Sequence, residues 1–230
     1  AGHRAPSTRT ERPHERLDPY TLAAFYTGPG AACSVEQRAA AVHLVASRDL
    51  VTVLAAPAGA GKTTTLATAV TRWVDRGAVV TALAPSARAA AELEAATGAR
   101  GQTVARWLAV QVRHDGERFI LGDPDQLSYR SVIVVDEASM LSTSDLDQLT
   151  ARAAAAKARV VLVGDPAQIG AVNAPGGMFE HLTGVLATRR IELTELHRFQ
   201  NAWEAAATLR LRDGDPGVLD VYAEHGRIHP

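Results

Sequence analysis

The chain has a single cysteine, Cys33, among its 230 residues, so no internal disulfide framework is available to it. That fits a reducing, cytoplasmic setting. No His or Cys stands at metal-ligand spacing from Cys33, which therefore reads as structural. No run of about 18 apolar residues is present, which leaves no candidate membrane span, and no signal-peptide pattern opens the chain. Aromatic residues make up only 5%. Net charge is also nearly absent, at −1. The chain as a whole is therefore not a strongly basic nucleic-acid binder, although one groove can be basic on a neutral protein. Lysine is the scarcest charge: Lys62 and Lys157 are the only two, and arginine supplies the remaining cationic charge apart from histidine. A lysine at position 62 in so arginine-rich a chain points to a specific requirement.

What is present is ordinary for a soluble domain, with 47% hydrophobic and 21% charged residues. That length buries a core without staples. Residues 1–18 are polar and rich in Arg, Pro and His, and read as a linker or disordered tail. Residues 19–230 read as one domain. Ser34 with Gln37 three residues on is a capping box opening a helix to about Ser47. Leu50 to Ala55 is a short apolar strand, followed by a glycine-rich turn and a helix from Lys62 to Asp75. Ala78–Ala84 and Ala87–Thr97 repeat the strand–helix pair. Gln102–Arg113 is expected as a third helix, and His114-Asp115-Gly116 as the turn of a small hairpin. Val132–Val135 and Val160–Val163 are buried strands flanking a helix at 144–156. Ile191–Leu193 and Trp203–Arg212 close the pattern. Apolar strands alternating with helices imply an α/β fold with a mostly parallel sheet covered on both faces. Ligands then belong at the carboxyl ends of the strands.

The segment Ala56-Pro57-Ala58-Gly59-Ala60-Gly61-Lys62-Thr63-Thr64 follows a strand and opens a helix, which is the context a P-loop requires. Glycines let the backbone N–H groups approach phosphate, and the helix N-terminus adds its dipole. Lys62 is placed to reach the β- and γ-phosphates of ATP, and Thr63 to hold Mg2+. Ala56 replaces the usual first glycine of the motif. Asp136 and Glu137, at the end of the next buried strand, are the expected magnesium partner and water-orienting carboxylate. Gln168, in Gly164-Asp165-Pro166-Ala167-Gln168, is expected to contact both γ-phosphate and attacking water.

The order of these segments resembles superfamily 1B helicases of the RecD-like kind, and most of all the helicase portion of MobF-type (TraA/TraI-like) conjugative relaxases. The resemblance covers residues 33–229. It implies a RecA-like P-loop NTPase fold, forming the first motor domain of an ATP-dependent DNA helicase with single-stranded DNA as partner. Glu36-Gln37-Arg38 resembles the Q-motif, which makes Gln37 the implied adenine reader. Ala84-Pro85-Ser86-Ala87-Arg88 resembles motif Ia, and 103–108 the next DNA-contact segment. Ser86, Arg88, Thr103 and Trp107 are thereby implied DNA contacts, with core packing the competing reading for Trp107. Glu195-Leu196-His197-Arg198-Phe199 resembles motif IV, which implies that Arg198 reaches the γ-phosphate; His197 reads as structural. The catalytic set so implied is Lys62, Glu137, Gln168 and Arg198. No counterpart of a second motor lobe or of a relaxase nuclease signature is found before Pro230, so the chain reads as one lobe of a longer motor. A RecD-like repair helicase lobe is the nearest alternative. A P-loop kinase, or a nucleotide-sensing module without turnover, stands further off.

Overall fold

A computed structural model describes residues 17–112, 118–120, 127–168, 170, 175, 177–186, 190–197, 199, 201–212 and 214–228. Six strands form one sheet in the order β3-β2-β6-β7-β1-β8: β1 is Val51–Ala55, β2 Val79–Ala84, β3 Arg100–Thr103, β6 Ser131–Val135, β7 Arg159–Gly164 and β8 Arg190–Glu192. Every pairing within it is parallel. Parallel strands require crossovers, and the helices supplying them cover both faces.

The strands themselves explain this arrangement. Val132 to Val135 are all fully buried, as are Leu162 and Val163, so these strands have no solvent face and cannot alternate. Each such side chain contributes roughly 1.5–3 kcal/mol on burial. One core lies beneath α2 (Val35–Ala46) and α3 (Lys62–Asp75), with Leu44, Leu66 and Trp73 packed on Leu54, Val134 and Val163. The other lies beneath α5 (Val104–Leu108), α6 (Thr143–Ala156) and α7 (Met178–Val185), and includes Leu83, Ile133, Leu149 and Phe179. Helix α4 (Ala87–Thr97) connects β2 to β3.

The capping box forms as expected: Ser34 Oγ accepts from Gln37 N, and Gln37 Oε1 accepts from Ser34 N. Two expectations need correction. Residues 102–113 are not one helix. Gln102 and Thr103 finish edge strand β3, Thr103 caps the five-residue α5, and Val110–Val112 is β4 of a two-stranded antiparallel hairpin with β5 (Arg118–Ile120). Pairing of β3 with β2 claims the first two residues, and β-branched Val110 and Val112 suit a strand. The expected hairpin turn lies outside the described residues. The expected tail also ends early: Leu17 is buried in the core, and Asp18 caps α1 (Pro19–Ala24) by accepting from Thr21 N at 2.9 Å. Two C-terminal helices, α8 (Ala202–Arg212) and α9 (Val218–Glu224), pack on each other, with Trp203 stacked on His225. Among the described residues no helix is long and apolar enough to cross a membrane.

Candidate functional site

The parallel topology brings the chemistry to one rim. The P-loop follows β1, Ser86 follows β2, Thr103 ends β3, Asp136 follows β6, Asp165 follows β7, and the 193–197 segment follows β8. These are all carboxyl ends of strands, where the helix dipoles and free N–H groups of an open α/β sheet collect. A cavity of about 560 Å3 opens there. Its walls include Ala58, Gly59, Gly61, Lys62 and Thr63 from the loop, and Asp136, Glu137 and Gln168 from the neighbouring strand ends. A larger apolar cavity of about 840 Å3 lies between α6 and α7 at the opposite end of β1 and carries none of the expected residues.

The P-loop backbone is built for close approach. Gly59 and Gly61 have φ of +85° and +81°, a left-handed region that costs glycine little. Gly61 is also the N-cap of α3, so the helix opens on a residue without a side chain to cover its N–H groups. Ala56, where the motif usually has glycine, is fully buried with its N–H donated to Gly164 O at 2.9 Å. Its φ is not positive, and a methyl group is accommodated. Lys62 Nζ donates to Ala56 O at 3.2 Å, which folds the ammonium back across the loop.

Asp136 is largely buried. Burial pushes its carboxyl above the ordinary aspartate range, although the Glu137 N–H at 2.8 Å and the charge of Lys62 pull the other way. Glu137 itself adopts φ +52°, the left-handed region that a side chain rarely enters. Such a conformation costs on the order of 1–3 kcal/mol and is held by its surroundings. The turn aims two successive carboxylates into one cavity. Gln168 is exposed on the turn after β7, and its N–H donates to Asp165 O at 3.1 Å.

Pro57, Ala60 and Thr64 belong to the loop and first turn but do not line the cavity; Ala60 is fully buried. Arg198 lies outside the described residues. Gln37, the implied adenine reader, has a structural task beside the phosphate loop. It is buried, its Oε1 is taken by the capping box, and its Nε2 donates to Ala60 O at 3.3 Å. Gln37 thus braces the P-loop, with one amide hydrogen and one Oε1 lone pair beyond these two bonds. Trp107 corrects the stacking reading. It is only 2% exposed, packed in the core beside Val104 and Leu108, with the Arg152 guanidinium 5.7 Å from its ring.

Ser86 and Thr103 stand at adjacent strand ends: Thr103 pairs with Ala84, and Ser86 lies two residues beyond it. Both are helix N-caps, accepting from Ala89 N and Arg106 N, so each hydroxyl keeps its own proton to donate. Arg88 is exposed and paired with Glu92 at 2.8 Å.

Two cavity residues escaped the sequence reading, Glu92 and His197. Glu92 sits on α4 with no motif around it. His197, read as structural, places its ring at the cavity while its N–H donates to Gly59 O at 3.0 Å. Only its place beside Arg198 in the motif IV segment carried a signal.

A family model described as an AAA domain matches residues 32–230. The chain belongs to the AAA domain family. Among curated proteins it is 32% identical over 85% of its length to a probable conjugal transfer protein TraA of Sinorhizobium fredii. It is 34% identical over 83% of its length to the RecBCD enzyme subunit RecD of Mycolicibacterium smegmatis. The chain spans 17% of the first relative and 38% of the second. A crystal structure of Bacteroides sp Pif1 in complex with ADP-AlF4 superposes with a TM-score of 0.55 at 19% identity, covering 83% of this AAA domain chain and 49% of that one. The α/β helicase-type fold and the TraA and RecD resemblance read from the motifs are thus both borne out.

Proposed function

We propose that this AAA domain is the ATP-binding motor lobe of a DNA helicase that translocates on single-stranded DNA. The observation that carries this reading is the convergence of Lys62, Thr63, Asp136, Glu137 and Gln168 on one cavity at the sheet rim. A kinase has no need of a water-orienting carboxylate and a glutamine facing the phosphate together, whereas hydrolysis coupled to motion does.

The residues also fit magnesium. Among the described residues no cluster of three His, Cys, Asp or Glu could hold a metal by itself. Mg2+ does not need one, since it keeps several waters and takes one or two protein oxygens plus substrate phosphates. Thr63 and Asp136 offer a hydroxyl and a carboxylate in the same cavity, and a buried carboxylate that is costly to ionise gains from a cation beside it. The ion would supply charge neutralisation on the β- and γ-phosphates. The P-loop N–H groups bind the phosphates, Lys62 offsets their charge, and Glu137 orients a water and accepts its proton. Gln168 contacts the γ-phosphate side and reports its presence to the turn after β7. Arg198, in the motif IV segment, stabilises the transferred phosphoryl group. Ser86, Arg88 and Thr103 contact the DNA backbone on the adjoining rim.

The TraA relatives favour a conjugative relaxase–helicase as the larger protein, with a second motor lobe and a relaxase domain as partners in the same chain. The RecD relative, at comparable identity, keeps a repair helicase as the second reading. Steady-state ATP hydrolysis with and without single-stranded DNA, with Glu137→Gln as control, tests the proposal. Nucleotide binding that Lys62→Ala abolishes, with little turnover by this lobe alone, is the expected result. Unchanged affinity for an ATP analogue in Lys62→Ala would overturn it.

A further inference from the structure

We infer that Glu36 is a positioning residue that latches the segment after β8 onto the P-loop, and that His197, seated by this latch, is a phosphate contact for the bound nucleotide. The inference rests on the nucleotide-site reading above.

Glu36 lies in the first turn of α2, and its carboxylate accepts three hydrogen bonds from a segment 158 residues away. Thr194 N and Thr194 Oγ1 donate to Oε1 at 2.8 and 2.7 Å, and Glu195 N donates to Oε2 at 3.0 Å. Both oxygens are used, and two successive backbone N–H groups are gripped, so the segment has one position and one orientation. A surface glutamate that merely favours a helix N-terminus would satisfy none of these donors.

Two residues further on, His197 N–H donates to Gly59 O at 3.0 Å, inside the phosphate loop. Gln37, next to Glu36, holds the other side of that loop through Ala60 O. Successive residues of one helical turn therefore fix the P-loop and the strap lying against it. The result is a closed circuit from α2 through Thr194 and His197 to Gly59, Ala60 and back to Gln37. The His197 ring is half exposed and lines the cavity alongside Gly59 and Lys62. Its Nε2 is 3.8 Å from the Glu195 carboxylate, too long for a good hydrogen bond, so the ring keeps a donor to offer. In a loop whose own donors are backbone N–H groups and one lysine, an imidazole N–H at that rim has a phosphate oxygen as its natural acceptor.

The test is titration of a fluorescent ADP analogue with magnesium into the unmutated chain, Glu36→Ala, Glu36→Asp, His197→Ala and the Glu36→Ala/His197→Ala double variant. Hydrogen exchange at residues 193–197 is followed in parallel. Each alanine variant is expected to weaken binding by about tenfold, the scale of one charge-assisted hydrogen bond. The double variant is expected to be no weaker than either single one, because both remove the same contact. Glu36→Ala alone should speed exchange at Thr194 and Glu195, and His197→Ala should leave those two amides protected. Glu36→Asp, which keeps the charge but shortens the reach, should fall between. Unmutated affinity in Glu36→Ala, or losses that multiply in the double variant, would overturn the latch. Failure of the unmutated chain to bind nucleotide would instead overturn the functional reading and the phosphate contact with it. The exchange data would still decide whether Glu36 holds the segment.

Discussion

Arg212 donates both Nε and Nη2 to Oδ1 of Asp165, at 3.1 and 2.8 Å. Asp165 is buried and also accepts the Ala167 N–H at 3.0 Å, so it shapes the turn that carries Gln168. The last turn of α8 is thereby tied to the turn that brings Gln168 to the candidate site. Arg212→Ala leaves a buried carboxylate without its cation, which costs about 3 kcal/mol. Arg210, two residues earlier on the same helix, pairs instead with Asp215. Thermal melts should show a drop of several degrees for Arg212→Ala and none for Arg210→Ala. Equal melting temperatures would remove the Asp165 pair from the list of structural ties.

Asp136 carries an ionisation cost. Burial raises its folded-state pKa, with the Glu137 N–H and Lys62 offsetting part of the effect. For a carboxyl whose pKa is raised on folding, the favourable contribution is present below the unfolded value and lost as pH rises through the folded one. At neutral pH, without nucleotide or magnesium, the ionised group is therefore destabilising. Asp136→Asn should raise the melting temperature by a few degrees at pH 7 and leave it nearly unchanged in mild acid, while magnesium-dependent nucleotide binding is lost. A lower melting temperature at pH 7 would show that the carboxylate is better compensated than its burial implies.

Trp107 separates core from contact. Its ring is enclosed by Val104, Leu108 and the α6 face, and Arg152 bridges it to α6 through the carbonyls of Trp107 and Leu108 at 3.3 and 2.9 Å. Trp107→Ala should cost about 3–5 kcal/mol, in the range of large-to-small core substitutions. Trp107→Phe should keep the fold, and single-stranded DNA affinity should stay within twofold of the parent. A tenfold loss of DNA affinity in a stable Trp107→Phe variant would restore the stacking role.

How far these sites were legible depended on how local the determining physics was. The capping box, the strand–turn–helix shape of the glycine-rich segment and the buried strands were read correctly because each is set by spacing within a few residues. Asp136 and Glu137 follow from the same logic, a carboxylate pair where a fully apolar strand must end. The third helix failed because the edge position of β3 depends on β2, which no local window contains. What Trp107 and Gln37 touch was not legible for a related reason, although core packing was already one of the two readings open for Trp107. The resemblance supplied a role for the residue type, whereas tertiary packing decided what the side chain touches. The contacts of His197 and Glu36 were not legible from their motif segments, because their partners lie well over a hundred residues distant.

Gly61 gives the sharpest steric prediction. A Cβ built there would lie 2.1 Å from Gln37 Nε2, and the backbone at φ +81° already disfavours a side chain. Gln37 cannot simply swing away, because its Oε1 is held by Ser34 N and its Nε2 by Ala60 O. Gly61→Ala should therefore displace the bracing amide and close the N-terminus of α3 together, lowering nucleotide affinity by more than tenfold and stability by about 1–2 kcal/mol. Pairing it with Gln37→Ala removes the clash but not the strained φ, and should recover part of the stability. Calorimetric titration and thermal melts on the two variants separate these effects. If the double variant recovers nothing, backbone conformation alone governs the position; if it recovers everything, the clash with Gln37 does.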